Sequence, residues 1–193
     1  MNLDAVAKTS ANVLLPPLAG GRKAADGGSQ TASSHAAAVR EGLGEMWLPS
    51  IYRERILRLR TRSAHLEVPA RGGAVEIQHT LLGVELKMGR RRMMCPDLAT
   101  ARYLAVFARA GCRDVAVPYD ITQISRLADE LESSWHRMLL LIKKASAERS
   151  PSFQARLRTL VLNVLRAEIT EAGAGTPVPQ FNQNTKQRRA PER

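Results

Sequence analysis

The sequence predicts an α/β (or α+β) protein: a small mixed sheet with a β-hairpin and a βαβ unit, followed by a C-terminal antiparallel helical hairpin. Three observations carry that class. Apolar residues alternate with polar ones between 65 and 95, which is strand periodicity. A capped, nearly all-apolar helical stretch around residue 100 leads into the short apolar run Asp114 to Tyr119, the order of a parallel crossover. Beyond residue 120, two long segments repeat apolar residues by fours and threes, as paired helices do.

Taken in order, Ile51 to Arg60 fits a short helix on the spacing of Tyr52, Ile56 and Leu59, and fits a strand on the alternation of Leu57 and Leu59 with Arg58 and Arg60. His65 to Pro69 and Ala74 to His79 flank Arg71-Gly72-Gly73 and read as the hairpin, with Val75 and Ile77 on one face. Leu81 to Lys87 continues in extended form with a bend at Gly83. Gly89 offers a further turn before a strand over Arg91 to Cys95. Asp97 supplies an N-cap oxygen for a helix over Leu98 to Ala110, and Gly111 closes it. That helix is apolar around most of its circumference, so it belongs between layers. Asp120 or Thr122 caps the next helix, with Ile124, Ala128, Leu131, Trp135, Met138 and Ile142 as its seam. After Ser150-Pro151, Phe153, Leu157, Leu160, Val164 and Ala167 form the second.

Residues 1–46 are expected to be a flexible arm, because 18–45 are dominated by Gly, Ala, Ser and Thr and offer little apolar area against the entropy of ordering. A single α/β domain spans 47–172. A flexible basic tail, 173–193, follows, with Pro and Gly breaking any helix.

The formal charge of +11 favours polyanionic partners. It is concentrated: residues 46–100 carry ten basic against five acidic side chains, and 151–193 seven against three. Aromatic residues make up only 4%, which favours contacts to phosphates over stacking on bases. The two cysteines, Cys95 and Cys112, form no Cys-x-x-Cys pair, so neither a disulfide framework nor a thiolate zinc site is expected. No apolar run approaches the ~20 residues of a membrane span. A cytoplasmic protein without membrane attachment is the expectation.

The strongest candidate site is Arg90-Arg91-Arg92 at a predicted hairpin tip, with Lys87 just before it and Arg58, Arg60 and Arg62 nearby in sequence. Arginine forks match phosphate oxygens bidentately, and consecutive ones at a turn splay along a backbone. DNA or RNA is therefore the expected partner; Glu54, Glu67 and Glu85 are the acids that would neutralise the cluster instead.

A second constellation is Glu76 followed by Glu85-x-Lys87 on predicted strands. Converging carboxylates hold Mg²⁺ through hard oxygen ligands, and a lysine beside them stabilises the charge that develops in phosphodiester cleavage. With the order helix, three strands, helix, strand over about residues 50–119, this arrangement loosely resembles the core of restriction-endonuclease-like nucleases, and implies a Mg²⁺-dependent nuclease. It departs from that family in having Glu76 where Asp is usual, nine residues before Glu85.

His65, His79 and Cys95 match no zinc spacing, and Pro118-Tyr119-Asp120 reads as a strand exit and helix cap. Neither a Walker sequence nor a Gly-x-Ser-x-Gly elbow occurs. No catalytic residue, metal or cofactor is assigned. The leading expectation is a small, basic, non-enzymatic nucleic-acid-associated protein. The alternatives are the nuclease and an interaction module, in which the C-terminal helices form a homo-oligomer through Trp135, Met138 and Leu139 or through Val161, Leu165 and Ile169.

Overall fold

The computed structural model describes residues 25–69 and 73–176. The elements are α1 (Ala25–Leu43), α2 (Leu48–Ile51) running into a π-helical turn (Tyr52–Ile56), β1 (Thr61–His65), β2 (Val75–Thr80), β3 (Gly83–Met88), β4 (Arg91–Cys95), α3 (Leu98–Ala110), β5 (Asp114–Pro118), α4 (Ile121–Ala145) and α5 (Pro151–Ala172). The mixed α and β composition and the helical hairpin of α4 and α5 match the class expected from sequence. The strands, however, divide into two antiparallel sheets, β1-β5 and β2-β3-β4.

The caps form as their chemistry dictates. Asp97 accepts the Thr100 N–H at 2.7 Å, Asp120 the Thr122 N–H at 2.8 Å, and Ser150 the Phe153 N–H at 3.3 Å with Pro151 opening α5. Gly111 ends α3 at φ +84°, a conformation that a side chain would strain. As its all-round apolarity requires, α3 lies between the β2-β3-β4 sheet and α4. Tyr103, Leu104, Val106 and Phe107 are all buried.

The expected crossover from β4 through α3 to a parallel β5 is replaced by a different pairing. β5 runs antiparallel to β1, with Thr61 opposite Pro118 and His65 opposite Asp114. The free edge of β5 is closed by side chains. Tyr103 Oη donates to the Ala116 carbonyl at 2.6 Å, and the Ala116 N–H donates to Tyr52 Oη at 2.8 Å. Tyr52 Oη in turn donates to the Gly173 carbonyl at 2.7 Å. Two buried phenols thus satisfy the backbone groups that a second strand would otherwise pair. Burial pushes the Tyr52 phenol up to about 12, against the opposing pull of the Ala116 N–H, and burial also holds the Tyr103 phenol well above its ordinary value.

The expected hairpin across residues 70–73 also gives way. The first hairpin is β2-β3, closed by Leu81-Leu82, with Thr80 opposite Gly83. Neither leucine is a usual turn residue. Thr80 compensates, its hydroxyl accepting from the Leu82 N–H at 3.3 Å and donating to the Gly83 carbonyl at 3.1 Å. The second hairpin, β3-β4, turns through Gly89-Arg90 with Gly89 at φ +62°.

The N-terminal arm is shorter than its composition suggests. Ala25–Leu43 is helical, and Ala32, Val39 and Leu43 are buried against α4 and α5. Alanine has the best helix propensity, so an Ala-rich stretch with Ala32, Ala36, Val39 and Leu43 on one stripe folds once a core is there to receive it. Glu168 of α5 fastens this layer, accepting from Trp47 Nε1 at 3.0 Å and pairing with Arg40 at 3.2 Å. Within the chain, the layer leaves Trp135, Met138, Val161, Leu165 and Ile169 buried, the side chains that would otherwise motivate an oligomer interface. The tail begins in order: the Ser63 N–H donates to the Thr176 carbonyl at 2.9 Å, laying residues 173–176 along β1. The rest of the expected arm and tail, with Lys186, Arg188, Arg189 and Arg193, lies outside the described residues, as do Arg71 and Gly72 of the expected turn.

Candidate functional site

The β2-β3-β4 sheet has two unlike faces. Val75, Ile77, Val84, Leu86, Met88 and Met93 face α3, and Glu76, Gln78, Glu85, Lys87 and Arg92 face the other way. On that outer face Lys87 and Arg92 stand opposite one another, and each turns to a nearby carboxylate. Glu76 and Lys87 are direct cross-strand partners, joined at 3.1 Å, and Arg92 reaches Glu85 at 3.6 Å. Two of the expected phosphate contacts, Lys87 and Arg92, are therefore already partnered.

The same pairs bear on the nuclease constellation. Glu76 and Glu85 share one face as diagonal neighbours, since Glu76 stands opposite Lys87 and Gln78 opposite Glu85. Each carboxylate nevertheless faces a cation rather than the other. Among the described residues, no group of three or more His, Cys, Asp or Glu side chains is placed to hold a metal ion. The element order differs as well: four strands precede α3, and β5 does not continue the sheet that carries Glu85 and Lys87.

Arg90 and Arg91 lie at the opposite side of the β3-β4 hairpin from Cys95, beside the extended linker Leu66–Pro69. They line a groove of about 670 Å³ together with His65, Glu67 and Arg113. Among the described residues Glu67 is the only carboxylate in that lining, and it pairs with Arg91 at 3.2 Å. Arg90 and Arg113 make no ion pair among the described residues. Arg92 lines an adjoining cavity of about 540 Å³ with Arg90 and Arg91. Among the described residues, neither cavity has an aromatic ring other than the imidazole of His65 in its wall. His65 is itself bonded to Asp114 across the β1-β5 pair, Nδ1 to Oδ1 at 2.7 Å.

The three arginines before and on β1 do not join this cluster. Arg60 places its guanidinium 5.3 Å from the centre of the Tyr119 ring, at the Thr61 end of β1. His65, where the groove begins, lies four residues on, or ~13 Å along an extended strand. Arg58 is exposed in the turn before β1, and Arg62 is half-buried with its backbone bridged to Thr176. The basic face expected from sequence is thus two separate regions.

Arg113 is the residue that a reading by sequence segment misses. It comes three residues after the end of α3 and sits next to Asp114, so no local run of charge marks it. Its position comes from the Leu66 N–H, which donates to the Arg113 carbonyl at 2.6 Å and ties the linker to the start of β5. A third cavity of about 510 Å³, between α1 and α5, is walled chiefly by Ala36, Ala37, Trp47, Leu160 and Val164, a lining with little attraction for phosphate.

Both thiols are buried, and burial pushes them up, Cys112 to about 12, so they stay protonated and unreactive at neutral pH. No helix among the described residues is long and apolar enough to cross a membrane. Comparison of the chain with protein-family models, with curated proteins and with solved structures finds no match.

Proposed function

We propose that this chain is a small, basic nucleic-acid-associated protein, acting by binding rather than catalysis. It holds DNA or RNA by the phosphate backbone in the groove between the Leu66–Pro69 linker and the β3-β4 hairpin. The observation that carries this reading is the convergence of Arg90, Arg91 and Arg113 on one groove with Glu67 as its sole carboxylate. Guanidinium forks from two separate elements suit the spaced oxygens of a backbone. With no Phe, Tyr or Trp in the lining, base stacking contributes little and sequence preference is weak.

The test is binding of the full chain to random-sequence duplex and single-stranded nucleic acid as a function of salt. Affinity should fall steeply as salt rises. Changing Arg90, Arg91 and Arg113 together to Ala should lower the logarithmic salt slope by roughly 2 to 3, at about 0.7 to 0.9 for each phosphate no longer neutralised. Binding that is absent at low salt, or indifferent to salt, would refute the reading.

A further inference from the structure

The groove does not end at Arg113. On the other side of the linker lies a cavity of about 610 Å³ that shares Val68, Pro69 and Arg113 with it, and whose remaining charged residues are Arg109, Arg158 and Arg166. These four arginines come from α3, from its exit and from α5, and among the described residues no carboxylate lines the cavity. None of them makes an ion pair among the described residues. Arg166 is nonetheless held in place. Its Nε donates to the Leu162 carbonyl at 3.2 Å and its NH2 group to Asn163 Oδ1 at 2.9 Å, and its stem packs against Gly111.

A structural role accounts for only part of this. The C-terminal end of α3 opens on the cavity, and a helix end carries roughly half a negative charge. Arg109, in the last turn of α3, complements that. Three further guanidiniums exceed it severalfold; Asp114 shares only a smaller neighbouring cavity with Arg113 and Arg166 and pairs with neither, and like charges so thinly countered repel one another. An anion brought among them relieves the repulsion.

Building on the proposed function, we infer that the all-arginine cavity is a second phosphate subsite in line with the first, joined to it through Arg113. The ligand is then a continuous stretch of several nucleotides laid along both sides of the linker, not a single phosphate or a strand end. Each strand of a nucleic acid offers one phosphate every ~3.4 Å of duplex axis, so an extended pair of subsites rewards length where a single one does not.

The experiment measures affinity by fluorescence anisotropy for labelled homopolymeric single strands of about 4 and about 16 nucleotides, bracketing the site sizes of strand-binding grooves. The proteins are the parent chain, Arg109→Gln/Arg158→Gln, and Arg90→Ala/Arg91→Ala, with circular dichroism confirming that each is folded. Arg109→Lys/Arg158→Lys is included to restore charge. The long strand should bind the parent at least tenfold more tightly than the short one. Arg109→Gln/Arg158→Gln should remove most of that gain and lower the long-strand salt slope by about 1.4, and the lysine variant should recover most of it. The inference fails if Arg90→Ala/Arg91→Ala weakens the long strand while Arg109→Gln/Arg158→Gln leaves it unchanged, an outcome in which the first groove still stands. Salt-dependent binding absent at both lengths overturns both.

Discussion

The outer face of the β2-β3-β4 sheet and the flank of the Leu66–Pro69 linker both carry arginine and lysine, but their charges face different things. On the sheet, Lys87 meets Glu76 directly across the strands and Arg92 meets Glu85 diagonally, so each cation has a carboxylate beside it. Along the linker, Arg90, Arg109, Arg113, Arg158 and Arg166 gather around cavities in which Glu67 is the one carboxylate. Partnered charges on a sheet serve register and solubility, whereas unpartnered ones leave a field for a ligand to fill. The number of basic residues in a segment therefore says less than what stands across from each.

The largest effect should come from breaking what supports both regions. Tyr103, on the helix that packs against both the sheet and α4, is fully buried and bonds to β5, so Tyr103→Ala should cost about 3 to 5 kcal/mol in chemical denaturation. Both regions should be lost together; loss of one with the other intact would show that they fold separately. A smaller effect is expected of Tyr52→Phe, which strands the buried Ala116 N–H at a cost of about 1 to 3 kcal/mol.

That substitution also has a pH signature. The Tyr52 phenol is raised to about 12 in the folded chain, against about 10 when unfolded, so its stabilising preference for the protonated form is complete below pH ~10. Stability should fall as pH rises from about 10 to about 12. Tyr52→Phe should flatten part of that fall in alkaline denaturation. An unchanged alkaline profile would mean that the hydroxyl is not buried as described.

The smallest effect should fall on the paired face. Glu76→Gln or Lys87→Met should change stability by no more than about 1 kcal/mol, since exposed ion pairs contribute little, and should leave nucleic-acid affinity within threefold of the parent. Mg²⁺ should produce no cleavage of bound nucleic acid on a gel. Cleavage abolished by Glu85→Gln would reverse the comparison and make the sheet face an active site.

What was legible in the sequence was local. Asp97, Asp120, Ser150 and Gly111 mark helix ends through bonds to residues within a few positions, and all four do so in the fold. What was not legible depended on distant partners. Nothing near Thr61 announces a strand whose mate begins at Asp114, and nothing near Val115 shows that phenols from Tyr52 and Tyr103 will close its free edge. The Gly72-Gly73 turn signal outweighed Leu81-Leu82, where a threonine hydroxyl does the turning.

The site divides in the same way. Arg90 and Arg91 stand out as a run, whereas Arg109, Arg113, Arg158 and Arg166 are scattered singly and meet only because α3 and α5 converge on the linker. Nothing in the local run separates Lys87 and Arg92 from Arg90; strand register sets Glu76 opposite Lys87, and Arg92 reaches Glu85 on the diagonal.

The most direct test removes equal charge from the linker flank and from cations already paired with carboxylates, and compares salt dependence. Arg90→Ala/Arg91→Ala/Arg113→Ala on the linker flank is matched by Arg55→Ala/Lys87→Ala/Arg102→Ala, whose side chains pair with Glu130, Glu76 and Glu132. The linker triple should lower the logarithmic salt slope for duplex binding by roughly 2 to 3, and the matched triple by less than about 1. Equal reductions from the two would show that net charge alone governs binding, and would contradict the account.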